Sequence, residues 1–231
     1  MPRNTKPPQR PARAGGDLTR QDSGAGRFYT IGNSPKKLPS VTTLLGILGK
    51  PGLIPWAAAQ EREAILHVMS ELWEELRQVA EPPPGPELRA MVLDRMGPAK
   101  AYLKTLREAG DIGTKVHQRI EWEFKGEMGR ARGEQPPELT HPKAIESFRK
   151  WGEWRNQISL EVVDIERKVA STLHGFGGAI DLLAKVINGK PTLVVIDFKT
   201  GKDIYWEALL QNTLYQIALI EEGIEAEGGF I

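Results

Sequence analysis

One stretch near the C-terminal end of the sequence constrains the fold more than any other part of the chain. It contains two apolar runs, Ala179 to Ile187 and Thr192 to Phe198, which are separated by Asn188-Gly189. Val, Ile and Leu dominate both runs, so the pattern predicts a β-hairpin. Each run is interrupted by a single acidic residue, Asp181 in the first and Asp197 in the second. A carboxylate inside an apolar strand is unfavourable unless another group pairs it, so these two residues need a partner.

A metal ion is the simplest partner for two neighbouring carboxylates. Like charges repel unless a cation lies between them, and divalent cations such as Mg²⁺ prefer oxygen ligands. Lys199 follows Asp197 by two positions, and strand side chains alternate between faces, so both residues project from the same side. The alternative is a plain hairpin with solvated acidic residues at its ends.

The length of the hairpin loop tests this interpretation. A two-residue turn at Asn188-Gly189 would place Asp181 and Asp197 on opposite faces of the hairpin. Convergence on one metal requires a loop with an odd number of residues or a bulge, for example Ile187-Asn188-Gly189 with Gly189 in the left-handed region. We predict an odd loop.

The order of these residues resembles a known signature. Asp181, fifteen intervening residues, Asp197, one residue and Lys199 resemble the active-site motif of the PD-(D/E)XK nuclease superfamily. The resemblance implies that Asp181 and Asp197 hold one or two Mg²⁺ or Mn²⁺ ions. It also implies that Lys199 orients the attacking water and offsets the charge that develops on the phosphate.

Two helical motifs extend the resemblance to the RecB-like branch of that superfamily, including its phage-type exonucleases. The segment GTKVHQRIE resembles the first motif, which implies that His117 is a metal ligand and that Glu121 is a weaker metal contact or a partner of a ligand. Gln211 and Tyr215, one helical turn apart, resemble the last motif, in which they support the active site and the phosphate backbone. Without the resemblance, these four would be ordinary residues of amphipathic helices.

Basic residues suggest further contacts with nucleic acid. Lys202 follows the hairpin motif, and Arg149 and Lys150 alternate with aromatic residues such as Trp151 and Trp154 on a helix predicted from about Pro142 to Gln157. Charge combined with stacking could hold a single strand. Aromatic residues at helical spacing are more often part of the core, and that alternative stays open.

The chain is predicted to be an α/β protein with three regions. Residues 1–26, rich in Pro, Arg and Gly, predict a disordered basic tail. Residues 27–110 predict a mostly helical cap whose last helix, from about Pro98, ends at Gly110. The resemblance implies that residues 111–231 form the nuclease core, a mixed central β-sheet flanked by helices as in restriction endonucleases. The last residues of the sequence resemble the beginning of a strand. We therefore expect either a core that is truncated at Ile231 or a natural chain that continues past this residue.

Composition limits the cofactors and the location. The sequence contains no cysteine, which excludes disulfides, thiolate zinc sites and iron–sulfur clusters. The formal net charge is only +1, so a nucleic-acid surface must be a local patch. No apolar stretch is long enough to span a membrane and no signal peptide is present, which predicts no membrane partner and a cytoplasmic location in a bacterial or phage-infected cell.

The resemblance implies a metal-dependent DNA nuclease. The predicted activity is that of an exonuclease on single- or double-stranded DNA ends, in repair, recombination or phage replication. A structure-specific endonuclease and a catalytically silent nucleic-acid-binding module are the alternatives. The sequence does not distinguish DNA from RNA, and it leaves open whether the chain forms a homo-oligomer or binds a recombination protein.

Overall fold

The computed structural model describes residues 18–98, 100–130 and 133–230, and in it the chain is a mixed α/β protein. The larger sheet has four strands in the order β4-β5-β6-β7, with bounds Leu160–Ser171, Phe176–Val186, Thr192–Ile196 and Gly228–Phe230. The first three strands are antiparallel, whereas β7 runs parallel to β6. The prediction of a mixed central sheet that contains the hairpin is therefore confirmed.

The loop between β5 and β6 has an odd number of residues, as predicted. The strands pair Val186 with Thr192, which leaves residues 187–191 in the loop. Gly189, at its centre, has φ of +80° and so adopts the left-handed region that favours glycine. The loop has five residues, whereas the predicted example had three, and both numbers are odd.

A second sheet forms at the N-terminal end of the described chain. It is antiparallel and contains β1 (Leu18–Ser23), β2 (Gly26–Ile31) and β3 (Leu38–Pro39). The predicted disordered tail is therefore wrong for residues 18–26, and the rest of that segment lies outside the described residues. Nearly all side chains of β1 are exposed, so the strand carries no apolar pattern, and its backbone hydrogen bonds to β2 hold it in place.

The helices follow the apolar periodicity, with one correction. Their bounds are α1 Val41–Leu45, α2 Leu53–Leu76, α3 Gly85–Met96, α4 Ala101–Glu127, α5 Pro142–Gln157 and α6 Trp206–Glu221. The predicted helix end at Gly110 is wrong, because α4 continues through this glycine. Its buried stripe of Ile112, Val116, Ile120 and Phe124 supports the continuous helix, and a glycine inside a helix costs only about 1 kcal/mol.

The chain divides into two compact units. One contains the described residues up to Leu48 together with those from Gly113 onward, and the other is Gly49–Ile112. The helical unit Gly49–Ile112 starts later in the sequence than the cap expected from residue 27, because β2, β3 and α1 belong with the sheets. Within this unit, α2 contacts α3, and Arg95 forms two hydrogen bonds with Glu75 at 2.8 and 2.5 Å.

The core of the larger unit lies between the four-stranded sheet and α6. Its fully buried members come from β4, β5, β6, α1 and α6, and they include Val169, Ile180, Leu183, Val195, Val41, Tyr215 and Leu219. The position of Tyr215 in this cluster fixes α6 against β5. Among the residues that the structure describes, no helix is both long and apolar enough to cross a membrane.

Candidate active site

Three acidic residues lie in a row across the four-stranded sheet. The β5–β6 register pairs Leu182 with Ile196, so the next residues outward, Asp181 and Asp197, stand opposite each other. The β4–β5 register places Glu166 opposite Asp181 in the same way. Opposing residues of antiparallel strands project to the same face and lie close together. The sheet therefore gathers three carboxyl groups at one place.

Asp197 is the most buried of these acids. Its side chain is 2% exposed, and its Oδ2 forms an ion pair with the Lys199 ammonium group. Its Oδ1 accepts a hydrogen bond of 2.9 Å from Gln211 Nε2, whereas Oδ2 has no hydrogen-bonding partner of good geometry among the described residues. Burial and the charge of Asp181 raise the pKa of Asp197, and Lys199 opposes that rise.

Gln211 and Tyr215, one helical turn apart as their spacing predicted, form a hydrogen-bonded pair next to Asp197. Gln211 Nε2 donates to the Tyr215 hydroxyl at 2.9 Å as well as to Asp197, so it links the helix to the carboxylate. Burial raises the pKa of Tyr215, and the Asp197 charge adds to the rise, so the phenol stays protonated. The ring can lie here because Gly178 has no side chain, since a Cβ at that position would be 2.4 Å from Tyr215 Cε1.

Asp181 is held by a backbone donor and faces a histidine. Its Oδ2 accepts a hydrogen bond of 2.8 Å from the Phe198 N–H, and His117 Nδ1 lies 3.5 Å from the same oxygen. The structure thus places His117 beside the hairpin acids, as the motif predicted. Burial lowers the pKa of His117, but the interactions with Asp181 and Asp197 outweigh burial, and the net shift is upward. A metal would compete with a proton for this imidazole.

Glu166 and Glu121 complete the acidic lining. Glu166 has φ of +47°, the left-handed region that is uncommon for residues other than glycine. Glu166 keeps an exposed surface, but partial desolvation, together with the charges of Asp181 and Glu121, raises its pKa to about 7. Glu121 pairs with Lys125 at 3.0 Å on α4. The structure turns Glu166 toward this site.

A cavity of about 460 Å³ connects these residues. Its lining includes His117, Glu121, Glu166, Asp181, Asp197, Lys199, Gln211 and Tyr215, and also Arg20 and Arg27 from β1 and β2. Both arginines are tied to Asp22, Arg20 Nη2 at 2.6 Å and Arg27 Nε at 3.0 Å. Sequence reasoning missed both arginines as site residues, because β1 is almost entirely polar and carries no apolar alternation.

The remaining basic residues suggested by the sequence lie outside this cavity. Arg149 is exposed on α5 and pairs with Glu146 at 2.8 Å and with Glu153. Lys150 is 69% exposed and lies 3.8 Å from Glu146. Lys202 is exposed in the loop between β6 and α6. A role of these three residues in binding nucleic acid stays a prediction.

The donor set could hold a divalent cation. Within residues 18–98, 100–130 and 133–230, no three His, Cys, Asp or Glu side chains already form a metal-binding group. Mg²⁺, however, is commonly held by one or two carboxylates, with water and phosphate oxygens as its other ligands. Asp197 Oδ2 is a buried carboxylate oxygen that already pairs with one cation, the Lys199 ammonium group, and Asp181 lies opposite it. These two residues fit Mg²⁺ or Mn²⁺, with His117 as a nitrogen ligand when it is neutral.

Comparisons with known proteins add no further information on this site. The chain matches no protein-family model and no curated protein.

Proposed function

We propose that this chain is a metal-dependent DNA nuclease of the RecB-like branch of the PD-(D/E)XK superfamily, with a restriction-endonuclease-like core. The observation that carries the proposal is the convergence of Asp181, Asp197 and Lys199 in one cavity, with Gln211 and Tyr215 behind Asp197. The odd register of the hairpin makes this convergence possible. The resemblance to RecB-like motifs supports the more specific proposal of an exonuclease that acts at DNA ends, in repair, recombination or phage replication.

The side chains of the cavity have separate roles in this proposal. Lys199 keeps its ammonium group beside Asp197, where it can donate to a phosphate oxygen and offset the developing negative charge. Gln211 holds the Asp197 carboxylate in one orientation. Because the Tyr215 oxygen accepts from Gln211, its own O–H remains to donate to a phosphate or to a water.

Asp181 and Asp197 would hold the cation, and His117 would join them when it is neutral. A bound Mg²⁺ or Mn²⁺ would supply Lewis-acid polarisation of the phosphoryl oxygen and activate a water molecule. Glu166, with its pKa near 7, can accept or release a proton near neutral pH at the edge of the same row. The cavity therefore provides charge stabilisation and a proton-transfer group for hydrolysis.

The arginines of the small sheet provide a surface for the phosphate backbone. Arg20 and Arg27 line the same cavity as the acids, and each is only partly exposed, at 41% and 39%. Guanidinium groups bind phosphate with two parallel hydrogen bonds, so a DNA phosphate could replace the Asp22 carboxylate as the acceptor of these hydrogen bonds. This cationic side offsets the repulsion between the acidic row and an incoming phosphodiester.

Digestion of end-labelled linear and covalently closed circular DNA, with Mg²⁺, Mn²⁺ or EDTA, tests the proposal. We expect the linear DNA alone to be degraded, with either metal but not with EDTA. Asp197→Asn and Lys199→Gln should each reduce the rate by at least about 100-fold, in the range of single transition-state contacts. Lys190→Gln removes the same charge from the exposed tip of the hairpin, where Lys190 is 85% exposed, and should keep wild-type activity.

The outcomes separate the alternatives. Cleavage of the circle would replace the exonuclease with an endonuclease. A folded wild type that binds DNA and degrades none with either metal would refute catalysis and favour a binding module. Full activity in both site variants would show that any nuclease activity of the chain resides elsewhere.

A further inference from the structure

A second cavity adjoins the candidate active site, and its walls are aromatic. It has a volume of about 320 Å³, within the range of about 300–1,000 Å³ that is usual for small-molecule sites. We call it the aromatic groove and define it by Trp151 and Trp154 of α5, Phe198 after β6, Phe230 of β7, and the two lysines Lys150 and Lys199. Lys199 lines both the groove and the acidic cavity, so the two spaces meet at this side chain.

The rings of the groove are arranged as a partly open platform. Trp151 packs into the core, edge-to-face with Phe124 at 5.7 Å and stacked on Phe148 at 5.0 Å between ring centroids. Trp154 lies at 6.5 Å from both Phe198 and Phe230. Neither tryptophan is fully buried, and Phe230 is 37% exposed. These rings therefore leave part of their aromatic surface accessible to a ligand.

The charge of the groove differs from that of the neighbouring cavity. Among the described residues that line it, none is acidic, whereas four acidic residues line the neighbouring cavity. Lys150 is 69% exposed at one side, with Glu146 at 3.8 Å, and Lys199 stands at the junction. A fitting ligand has a planar apolar face and a negative charge close to it. A nucleotide has both, since every base has a π-face for stacking and every linkage has a phosphate.

We propose that the aromatic groove holds one unpaired nucleobase of the substrate strand, next to the phosphate that contacts Lys199. This inference rests on the proposed nuclease function, because that function brings the phosphate to Lys199. A base enters the groove only after it leaves a duplex, so the groove favours single-stranded or frayed ends. Trp154 and Phe230 are the specificity-determining residues of this step, and they act by stacking on the base.

Binding of modified oligonucleotides tests the groove without cleavage. A fluorescein-labelled single-stranded oligonucleotide is titrated with the protein in EDTA at fixed salt, and the dissociation constant is measured by anisotropy. Each nucleotide is replaced in turn by an abasic unit, which keeps the phosphate and removes the base. We expect one position at which the abasic unit weakens binding by about 5- to 150-fold, the usual contribution of a stacked base.

Protein variants then locate that effect. Trp154→Ala and, separately, Phe230→Ala should weaken binding of the intact oligonucleotide and remove most of the abasic effect at that position. Trp122→Ala, which removes a half-buried indole of α4 outside the groove, should leave both constants at their wild-type values. Circular dichroism identifies variants that fail to fold, and Phe230, at the edge of the sheet, is the substitution that disturbs the core least.

The results for the groove and for the nuclease are separable. An abasic effect that survives unchanged in folded Trp154→Ala and Phe230→Ala, or no abasic effect at any position, overturns the groove even if DNA is cleaved. An abasic effect that depends on these rings supports the groove even if no metal promotes cleavage, in which case the nuclease alone is lost.

Discussion

Substitution of Gly178 tests the packing that holds Tyr215 behind the candidate site. Gly178 lies in β5 opposite Val169, and its φ lies outside the left-handed region, so alanine suits the backbone. The added methyl group would nevertheless lie 2.4 Å from Tyr215 Cε1 and 3.1 Å from Cδ1. Val41 Cγ2, at 3.5 Å, closes another side of the space. Gly178→Ala is therefore a purely steric perturbation.

The cost follows from the distances. Ordinary carbon contacts lie near 3.5–4.0 Å, so the Tyr215 ring must move by about 1 Å in a core where it is only 3% exposed. Overpacking of this kind typically costs about 1–3 kcal/mol, and the tight enclosure favours the upper half of that range. With a urea m-value of about 2–3 kcal/mol/M, the unfolding midpoint should fall by about 1 M, measured by circular dichroism.

Two comparisons make this result decisive. Gly152→Ala adds a methyl group in the interior of α5, where a Cβ would have no neighbour within 4 Å, and should raise stability by about 0.5–1 kcal/mol. In a Tyr215→Ala background the clash is absent, so Gly178→Ala should then cost little, and the coupling energy should be about 1–3 kcal/mol. A Gly178→Ala protein as stable as wild type, or equal costs in both backgrounds, would refute the reasoning.

Ionisable groups and the proposed cation give three more expectations. In EDTA, the free energy of unfolding of wild type should fall by about 1 kcal/mol relative to that of Glu166→Gln as the pH rises from 4.5 through about 7. The reason is that a carboxyl group whose pKa is raised in the folded state must ionise in this range, and solvent exposure limits the size of the effect. Urea midpoints of the two proteins that follow parallel pH profiles would contradict this expectation. Among the described residues, Glu222→Ala leaves the buried Arg167 with only Asp164, at 3.5 Å, and should cost about 3 kcal/mol in urea unfolding. The exposed Glu161→Ala should cost about 0.2–1 kcal/mol, and similar costs for the two variants would argue against a buried pair. Mg²⁺ at 100 times its dissociation constant should stabilise wild type by about 2.7 kcal/mol in thermal melts, and an equal gain in Asp197→Asn would place the ion elsewhere.

Local rules account for the parts of the site that could be predicted from the sequence. Strand side chains alternate with period two, so the need to bring Asp181 and Asp197 together was enough to require an odd loop. Residues four apart on a helix share a face, which predicted the contact between Gln211 and Tyr215. The buried stripe of α4 likewise fixes which side of that helix carries His117.

The missed features depend on pairing between distant residues. Nearly all of β1 is exposed, and hydrogen bonds to β2 define it, so its composition resembled that of a disordered tail. Arg20 and Arg27 reach the acidic cavity only because this small sheet lies beside β5, and no local pattern encodes that position. The continuation of α4 through Gly110 similarly reflects tertiary packing that overrides a weak helix propensity.

The features that oppose stability are concentrated in one place. Glu166 adopts a left-handed backbone conformation inside a strand, a state that costs of order 1–3 kcal/mol for a residue other than glycine. The Asp197 carboxylate is almost fully buried with Lys199 as its ion-pair partner, and Asp181 stands opposite it with the same charge. Each feature disfavours the fold when it is considered alone, yet all three meet in the cavity that contains Lys199. Departures from local rules tend to collect at functional sites, so this clustering supports the proposed active site by an argument that does not depend on the motif resemblance.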